Sequence, residues 1–415
     1  MPARARQPVT PSRQALRRYA IARSLGTPGS LTAALETQGF VQADPIRAPA
    51  RAQDLILRHR VDGYRAGDLE RHYPSLDVDE DFFVNYGFLA RRAHALLHPR
   101  GALGAWPSPG RLVAGRVLAF VREAGEAHPR DVDAHFAHGS VTNYWGGSSS
   151  ATTHVLDHLH YRGLLRVARR DGGIRVYAAR DPWPPVASSA DARARQDALV
   201  DLAVALYAPV PSATLAWLVR RLQLATPQWR RAIPGVLARA KSRLASARVD
   251  GHTWYWPAGE VPDGPEAPDV VRLLAPFDPI VWDRRRFEVF WGWPYRFEAY
   301  TPAAKRRLGY YALPLLWRDD VVGWANATVS GGALAVDAGF VAGRAPRDRG
   351  FRAAFDAEVE RLRRCLGAGD RTAPDDVTSS DGVRASDEIT WPDGVAAPDG
   401  VRASRRRGPA IRRRT

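Results

Sequence analysis

The chain contains little cysteine, little lysine and no long hydrophobic run. Cys365 is the only cysteine among 415 residues, which excludes a disulfide framework and a zinc site built on paired cysteines. No stretch approaches the roughly 18 continuous apolar residues of a membrane helix. The basic, proline-rich N-terminal arm, residues 1–11, lacks the apolar centre of a signal peptide. These absences predict a cytoplasmic protein without a membrane segment.

Positive charge is abundant, and arginine carries nearly all of it because Lys241 and Lys305 are the only lysines. Sixty Lys and Arg residues against 44 Asp and Glu residues give a formal net charge of +16. Such an excess favours a polyanionic partner such as nucleic acid, although arginine-rich composition also arises without that function. About twelve of these charges lie near the two termini by composition, so the central part of the chain is closer to neutral.

Residues 12–105 have the pattern of short helices. Ser12 and Ser30 are suitable N-caps for two of them, and the second ends at Gly39. A third helix opens at Pro49. Three short helices in close succession are typical of a helix-turn-helix unit, so this segment is predicted to be winged-helix-like.

Residues 106–185 and 186–262 share a second plan, in which three helical patterns precede two alternating strands. Asp171-Gly172-Gly173 forms the turn between the strands in the first case and Asp250-Gly251 in the second. Three helices closed by a hairpin predict a winged helix in each segment. In residues 106–185 the third helix is Ser148–Tyr161, and it is the one expected to enter a major groove of DNA.

Residues 263–366 change to short alternating runs rich in Trp and Tyr, including 287–290 and 295–300. These runs predict an antiparallel sheet or small β-barrel, closed by a helix over 351–366. Residues 367–415 contain Asp-Gly-Val-Arg-Ala-Ser repeats and two Arg triplets. That composition predicts a disordered tail, either solvated without a specific role or holding phosphates.

Three strings of the sequence resemble one protein family. They are 39–46 (GFVQADPI) running into 50–53, 151–153 (ATT) leading through the following helix into the hairpin, and 276–286 (PFDPIVWDRRR) continuing to 295–311. Together they cover roughly residues 12–340 and resemble the crosslink-repair DNA glycosylases of the YcaQ/AlkZ-like superfamily, also described as winged-helix DNA-binding domain proteins.

The resemblance implies an α+β fold of tandem winged-helix (helix-turn-helix) domains followed by a small C-terminal β-barrel. It implies hydrolysis of the N-glycosidic bond of N7-alkylated purines, including interstrand crosslinks, with no cofactor. The expected partner is double-stranded DNA bearing such lesions. In that family a Gln-x-Gln or Gln-x-Asp motif carries catalysis, and Gln42-Ala43-Asp44 matches the second version. One departure is Tyr86-Gly87-Phe88, where relatives often carry Trp-Ala-His.

The chemistry of this reaction suits the motif. An N7-alkylated purine already carries positive charge, so the transition state chiefly needs a carboxylate that faces the developing oxocarbenium ion or activates water. Asp44 can do either, and Gln42 can orient the water or hold the sugar–phosphate; a strand would place both on one face. The structural alternative is that Asp44, followed by Pro45, is an ordinary helix N-cap. No lysine lies near the motif, so water is the expected nucleophile and a lyase step is not expected.

Candidate DNA contacts are basic or hydroxyl side chains near the proposed groove helix, the wing turn and the C-terminal module. They are Arg47, Arg51, Thr152, Thr153, Arg169, Arg170, Arg284, Arg285, Arg286, Lys305 and Arg306. The alternatives are a solvated hairpin tip for the wing residues and an internal Asp283–Arg284 ion pair in the C-terminal module. No metal site is predicted, since the His154/His158 pair lacks an acidic partner.

Two other functional classes stay open. One is a non-catalytic winged-helix DNA-binding protein or transcriptional regulator, and the other is a winged-helix protein–protein scaffold. A bacterial glycosylase would be nucleoid-associated, and a monomer is the expected oligomeric state.

Overall fold

The computed structural model describes residues 10–26, 29–101, 108–136, 140–142 and 148–368. The predicted repeat tail and nearly all of the basic N-terminal arm lie outside these residues. Within the described part, no helix has the length and apolar character needed to cross a membrane.

The first segment folds as short helices around a small antiparallel sheet. Its elements are α1 (Arg13–Ser24), α2 (Leu31–Gln38), β1 (Phe40–Gln42), α3 (Ala52–Leu57), α4 (Asp68–His72), β2 (Val78–Phe82), β3 (Tyr86–Ala90) and α5 (Arg91–Leu97). The sheet order is β1-β3-β2. The predicted caps are confirmed, since Ser12 Oγ accepts from the Ala15 N–H at 3.1 Å and Ser30 Oγ from the Ala33 N–H at 3.2 Å. The helix expected at Pro49 begins instead at Ala52.

The second segment follows the predicted order of helices and hairpin. Its elements are α6 (Ser108–Ala124), β4 (Glu126–Ala127), α7 (Pro129–Phe136), β5 (Ser140–Thr142), β6 (Ser148–Ser150), α8 (Ala151–Tyr161), β7 (Leu165–Asp171) and β8 (Ile174–Ala179). β7 and β8 pair around Gly172 and Gly173, whose φ values of +56° and +92° are those a tight turn requires. β4 joins β8 to complete a three-stranded sheet.

The third segment has the same plan. Its elements are α9 (Ser189–Tyr207), β9 (Val210–Pro211), α10 (Ser212–Arg221), α11 (Ile233–Arg243), β10 (Ala245–Val249) and β11 (His252–Trp256). The predicted hairpin turn at Asp250-Gly251 is confirmed, and β9 adds to the sheet in the order β10-β11-β9.

The C-terminal segment differs most from its prediction. Its elements are β12 (Val271–Leu273), α12 (Arg284–Trp291), β13 (Leu313–Trp317), β14 (Asp320–Ser330), β15 (Ala333–Phe340) and α13 (Arg349–Leu366). In this described region β12 and β15 do not pair with each other, so the strands form an open four-stranded sheet instead of a closed barrel. The run 287–290 is part of a helix, because Asp283 caps α12 at the Arg285 N–H (3.1 Å). The closing helix is confirmed as α13.

The segments share their hydrophobic cores. One core joins the first and second segments to the C-terminal sheet, with Leu55, Leu159 and Leu315 at most 1% exposed. A second core joins α1 to the third segment and to α12, with Leu16 and Phe287 fully buried. Because apolar surface is removed from water across all four segments, the first segment is held against both hairpin-bearing segments and the C-terminal sheet.

Candidate active site

Gln42 is the last residue of β1 and lies opposite Gly87 of β3. Only 7% of its surface is exposed. Its Oε1 accepts a hydrogen bond of 3.0 Å from Asn85 Nδ2. Its Nε2 has no acceptor among the described residues. The NH₂ group is therefore the end of Gln42 that can donate to a bound molecule.

Asp44 follows the strand by two residues and keeps a partly exposed side chain. Its Oδ1 accepts from the Ile46 N–H at 2.9 Å, and its own N–H reaches Gln53 Oε1 at 3.5 Å. Oδ2 has no hydrogen-bond partner in the described part of the chain. The N-cap alternative is wrong, because no helix begins at Pro45 and α3 starts at Ala52. The carboxylate therefore closes a local turn with one oxygen, and no described residue occupies the other.

The surroundings of Asp44 disfavour its charged form. Loss of water around the carboxyl raises its pKa to about 7, and the hydrogen bond from the Ile46 N–H offsets this only in part. A carboxyl group that titrates near neutral pH suits proton transfer or charge stabilisation in a reaction.

Tyr311, just before the second strand of the C-terminal sheet, belongs to the same neighbourhood. The residue is 3% exposed, and its hydroxyl has no partner among the described residues. Burial raises the pKa of this phenol well above 10, and Asp44 is the charged group that contributes most to the shift. Phe297 packs edge-on against Tyr311 with 5.3 Å between ring centroids. Tyr311 ends the string 295–311 that carries the family resemblance, but nothing in the sequence singled it out from the other tyrosines of that string.

Phe88, which stands where relatives often carry histidine, faces away from Gln42. The cross-strand partners are Val41 with Phe88 and Gln42 with Gly87. Because neighbouring residues of a strand point to opposite faces, Phe88 and Gln42 lie on opposite faces of the sheet. Phe88 is 1% exposed and packs edge-on against Tyr73 at 5.7 Å. Its role in this structure is packing.

Three of the predicted DNA contacts are buried, and their predicted role is corrected. Thr152 is 0%, Arg286 1% and Arg51 6% exposed. The Arg286 guanidinium donates to the backbone carbonyls of Tyr207, Pro279 and Ile280. Arg51 forms an ion pair with Glu70. These side chains lack the exposed surface that a phosphate contact requires.

Arg170 and Arg284 also point into the protein. Arg170 forms two hydrogen bonds with the fully buried Glu80, of 2.7 Å and 2.6 Å, and a third with the Gly173 carbonyl at 2.7 Å. Arg284 donates to two backbone carbonyls and lies 4.6 Å from the centre of the Tyr295 ring. Both residues are corrected from phosphate contacts to internal partners. The alternative of an Asp283–Arg284 ion pair is not what the described residues show, since Arg284 bonds backbone carbonyls instead.

The other predicted contacts keep exposed surface. Arg47, Arg285 and Lys305 are exposed and form no ion pair with any described residue. Arg169 is exposed but pairs with Glu126 at 3.0 Å. Thr153 and Arg306 are partly exposed.

The turn of the β7–β8 hairpin lies against the segment that follows the Gln-x-Asp motif. A Cβ added at Gly173 would lie 2.2 Å from Arg51 Nη2 and 3.2 Å from Arg47 Nη2. The guanidinium of the exposed Arg47 therefore lies beside this turn.

A buried cluster of Asp81, His94 and His98 has the donor types of a metal site, with all ligand atoms within 4.8 Å of one another. His94 Nε2 and His98 Nε2 lie 2.8 Å and 3.0 Å from one Asp81 oxygen, and Arg100 donates to the other at 2.9 Å. Burial lowers the pKa of His98 to about 3, so its neutral ring is a hydrogen-bond donor to Asp81. Since Arg100 already balances the carboxylate charge, the arrangement fits an internal network better than a cation site. The sequence interpretation missed this cluster, although the i, i+4 spacing of the two histidines could have indicated it.

Comparison with known proteins identifies a family and a similar fold. The family model described as "DNA glycosylase AlkZ-like" matches residues 35–365. The fold is similar to that of the Streptomyces sahachiroi DNA glycosylase AlkZ, with a TM-score of 0.58 and 14% sequence identity. That similarity covers 87% of this chain and 98% of the Streptomyces chain.

Proposed function

Because the chain belongs to the AlkZ-like DNA glycosylase family, we propose that it hydrolyses the N-glycosidic bond of N7-alkylated purines in double-stranded DNA. Asp44 is the observation that carries the proposal. It stands in the Gln-x-Asp motif, has one oxygen without a partner in the described structure, and has a pKa of about 7.

The proposed mechanism follows from the positive charges on the alkylated purine and on the sugar. Alkylation at N7 makes the purine a cationic leaving group, so positive charge accumulates on the sugar as the bond breaks. The Asp44 carboxylate stabilises this charge or removes a proton from the attacking water. The Gln42 NH₂ group donates to an oxygen of the sugar–phosphate. The side chains of Lys241 and Lys305 form no hydrogen bond or ion pair with either motif residue in the described structure, so the proposed enzyme uses water and is a monofunctional hydrolase. The same bond cleavage would unhook a crosslink made through N7.

Binding is proposed to use the two hairpin-bearing segments as winged helices, together with exposed cations near the motif and in the C-terminal segment. Arg47, Arg285 and Lys305 are suited to phosphate contacts because they are exposed and have no internal ion pair with a described residue. Phosphate contacts add affinity without reading base sequence, which fits a protein that searches for lesions.

Neutralising one of these three cations is expected to weaken binding to undamaged duplex DNA and to flatten its salt dependence. Each of Arg47→Gln, Arg285→Gln and Lys305→Gln should reduce the slope of log K against log salt concentration by about 0.9, the value for one lost phosphate contact. Arg352→Gln, an exposed position on α13, is the matched control and should leave the slope unchanged. Fluorescence anisotropy at several salt concentrations measures this. Unchanged slopes in all three variants would remove these residues from the DNA interface.

Base release tests the proposed activity directly. The protein is incubated with duplexes that contain 7-methylguanine or a mustard crosslink, and free base or unhooked strand is quantified. Release of 7-methylguanine above the rate of spontaneous loss supports the proposal. Tight duplex binding with no release from either substrate would favour the non-catalytic DNA-binding alternative.

The rate of base release should depend on pH through the ionisation of the Asp44 carboxyl group. Its carboxyl pKa is about 7 and the ionised form is the working one. The rate should therefore rise with pH through neutrality and be about tenfold higher at pH 8 than at pH 6. Single-turnover base release between pH 5.5 and 8.5 measures this. Gln42→Ala is the control, since it should lower the rate and keep the inflection near 7. A profile that is flat or falls over this range would contradict the role of the Asp44 carboxylate.

A further inference from the structure

Gln42 ends a chain of three side chains that fixes which way its amide faces. Arg221, at the end of α10, donates from Nη2 to Asn85 Oδ1 at 2.6 Å. Asn85, in the turn between β2 and β3, donates from Nδ2 to Gln42 Oε1 at 3.0 Å. The three residues come from three separate parts of the chain, and Asn85 and Gln42 are each 7% exposed.

Arg221 determines which atoms donate and which accept along this series of hydrogen bonds. A guanidinium has donors only, so the side-chain atom of Asn85 that faces Arg221 must be its oxygen. The Asn85 NH₂ group then faces Gln42, and Gln42 must offer its own oxygen in return. Without the arginine, both amides could rotate by half a turn and exchange oxygen for nitrogen with little loss of hydrogen bonding.

Arg221 is itself firmly held. Its Nε donates to the Val84 carbonyl at 2.8 Å, and its guanidinium lies 5.6 Å from the centre of the Trp217 ring. Val84 precedes Asn85 directly, so one guanidinium fixes both the backbone and the side chain of this turn. A residue of the third segment thereby fixes the orientation of the Asn85 side chain in the first segment.

We infer that Asn85 and Arg221 are positioning residues that keep the Gln42 NH₂ group directed toward DNA, where it donates to an oxygen of the damaged nucleotide. The inference rests on the proposed function, since Gln42 acts there on the sugar–phosphate. A reversed amide would present an oxygen to an oxygen, and the hydrogen bond would be lost. Neither Asn85 nor Arg221 touches DNA in this arrangement; both act through Gln42.

Asn85→Asp tests this with little change in shape. The carboxylate still accepts from Arg221 but has no hydrogen for Gln42, which must turn its NH₂ group inward to bond with it. We expect the single-turnover rate of base release to fall about 10- to 100-fold, as for a lost hydrogen bond to a charged group. Gln42→Glu, which presents an oxygen to DNA directly, should lower the rate to a similar level. In Asn85→Asp the new carboxylate is held by Arg221, so affinity for undamaged duplex DNA should change much less than the rate. Gln42→Glu directs a negative charge toward DNA and should weaken binding as well.

A double-variant comparison separates positioning from a structural effect. In a Gln42→Ala background, Asn85→Asp should cause no further loss, whereas damage to the fold would lower the rate in both backgrounds. A further loss as large as in the wild type would overturn the inference while leaving the proposed function intact. Absence of base release from the wild type would overturn the proposed function itself.

A measurement independent of activity accompanies these assays. In protein labelled with ¹⁵N glutamine, the side-chain NH₂ signals of Gln42, identified by their loss in Gln42→Ala, should shift in Asn85→Asp and move part of the way in Arg221→Lys. Gln42 signals that stay unmoved in Asn85→Asp would overturn the inference whatever the rates show.

Discussion

Replacing Asp44 with asparagine is expected to lower the rate of base release from 7-methylguanine DNA by about 10²- to 10⁴-fold, the range that a general base contributes. Asparagine can still accept the Ile46 N–H through its side-chain oxygen, so the local turn should persist. It has no negative charge to oppose the oxocarbenium ion and cannot take a proton from water. Single-turnover assays with the wild type and the variant measure the effect. Equal rates would remove Asp44 from the mechanism.

The fold of this variant can be checked through its pH dependence. Because the folded protein raises the pKa of Asp44 from 3.8 to about 7, it binds this proton more tightly than the unfolded chain does. The stability of the wild type should therefore fall as pH rises from about 4 to 7, on the order of 1–3 kcal/mol for a partly exposed group. Asp44→Asn should lack this fall and be the more stable protein at pH 8. A variant that unfolds instead would favour a structural role.

A matched control distinguishes the loss of the Asp44 side chain from the general effect of removing one negative charge on the rate of base release. Asp62 is an exposed aspartate in the same segment, and its side chain has no ion pair with a described residue. Asp62→Asn removes one negative charge, as Asp44→Asn does, and is expected to leave the rate of base release unchanged. A comparable loss of rate in both variants would point to long-range electrostatics and away from direct participation of Asp44.

Local rules predicted the local features well. Ser12, Ser30 and Gly39 mark helix ends in the structure, and both glycine-containing turns form the predicted hairpins. These features depend on a few neighbouring residues and their backbone preferences. The β2–β3 hairpin was missed because Asp79, Glu80 and Asp81 look like solvent-facing residues, yet each is at most 2% exposed. The partners that the fold brings to these carboxylates, chiefly arginines and histidines together with the Tyr86 hydroxyl, explain that burial.

The string 276–286 shows why the exposure of arginine side chains was harder to predict than the position of turns. As a sequence it offers three consecutive cations, and phosphate binding is a reasonable expectation. In the structure Arg284 and Arg286 satisfy backbone carbonyls inside the protein, and only Arg285 is left exposed. The direction of each side chain follows from the helical period of α12, which alternation of apolar residues had suggested was a strand. The phosphate-contact prediction treated the three arginines as one exposed group, and only the helical period shows that they point in different directions.

The same string supplies a buried ion pair whose loss should lower the stability strongly. Asp278 is fully buried and accepts from Arg60 at 2.8 Å and 3.1 Å, while Arg60 also donates to Ser24 Oγ at 2.8 Å. The pair therefore connects α1 and the end of α3 to the C-terminal segment. Asp278→Ala leaves the Arg60 charge buried without its partner and should lower the free energy of unfolding by about 3–5 kcal/mol. Urea unfolding followed by tryptophan fluorescence measures this.

Two comparisons show whether the uncompensated charge is the cause. Asp77 pairs with Arg91 at 2.9 Å, but these side chains are 69% and 48% exposed, so Asp77→Ala should cost less than about 1 kcal/mol. Adding Arg60→Met to Asp278→Ala removes the buried charge and should recover part of the lost stability, because an apolar side chain needs no counter-ion. If the double variant were as unstable as the sum of its single variants, the cost would come from packing. In that case the string 276–286 would hold the segments together through shape, and the Arg60–Asp278 charges would add little.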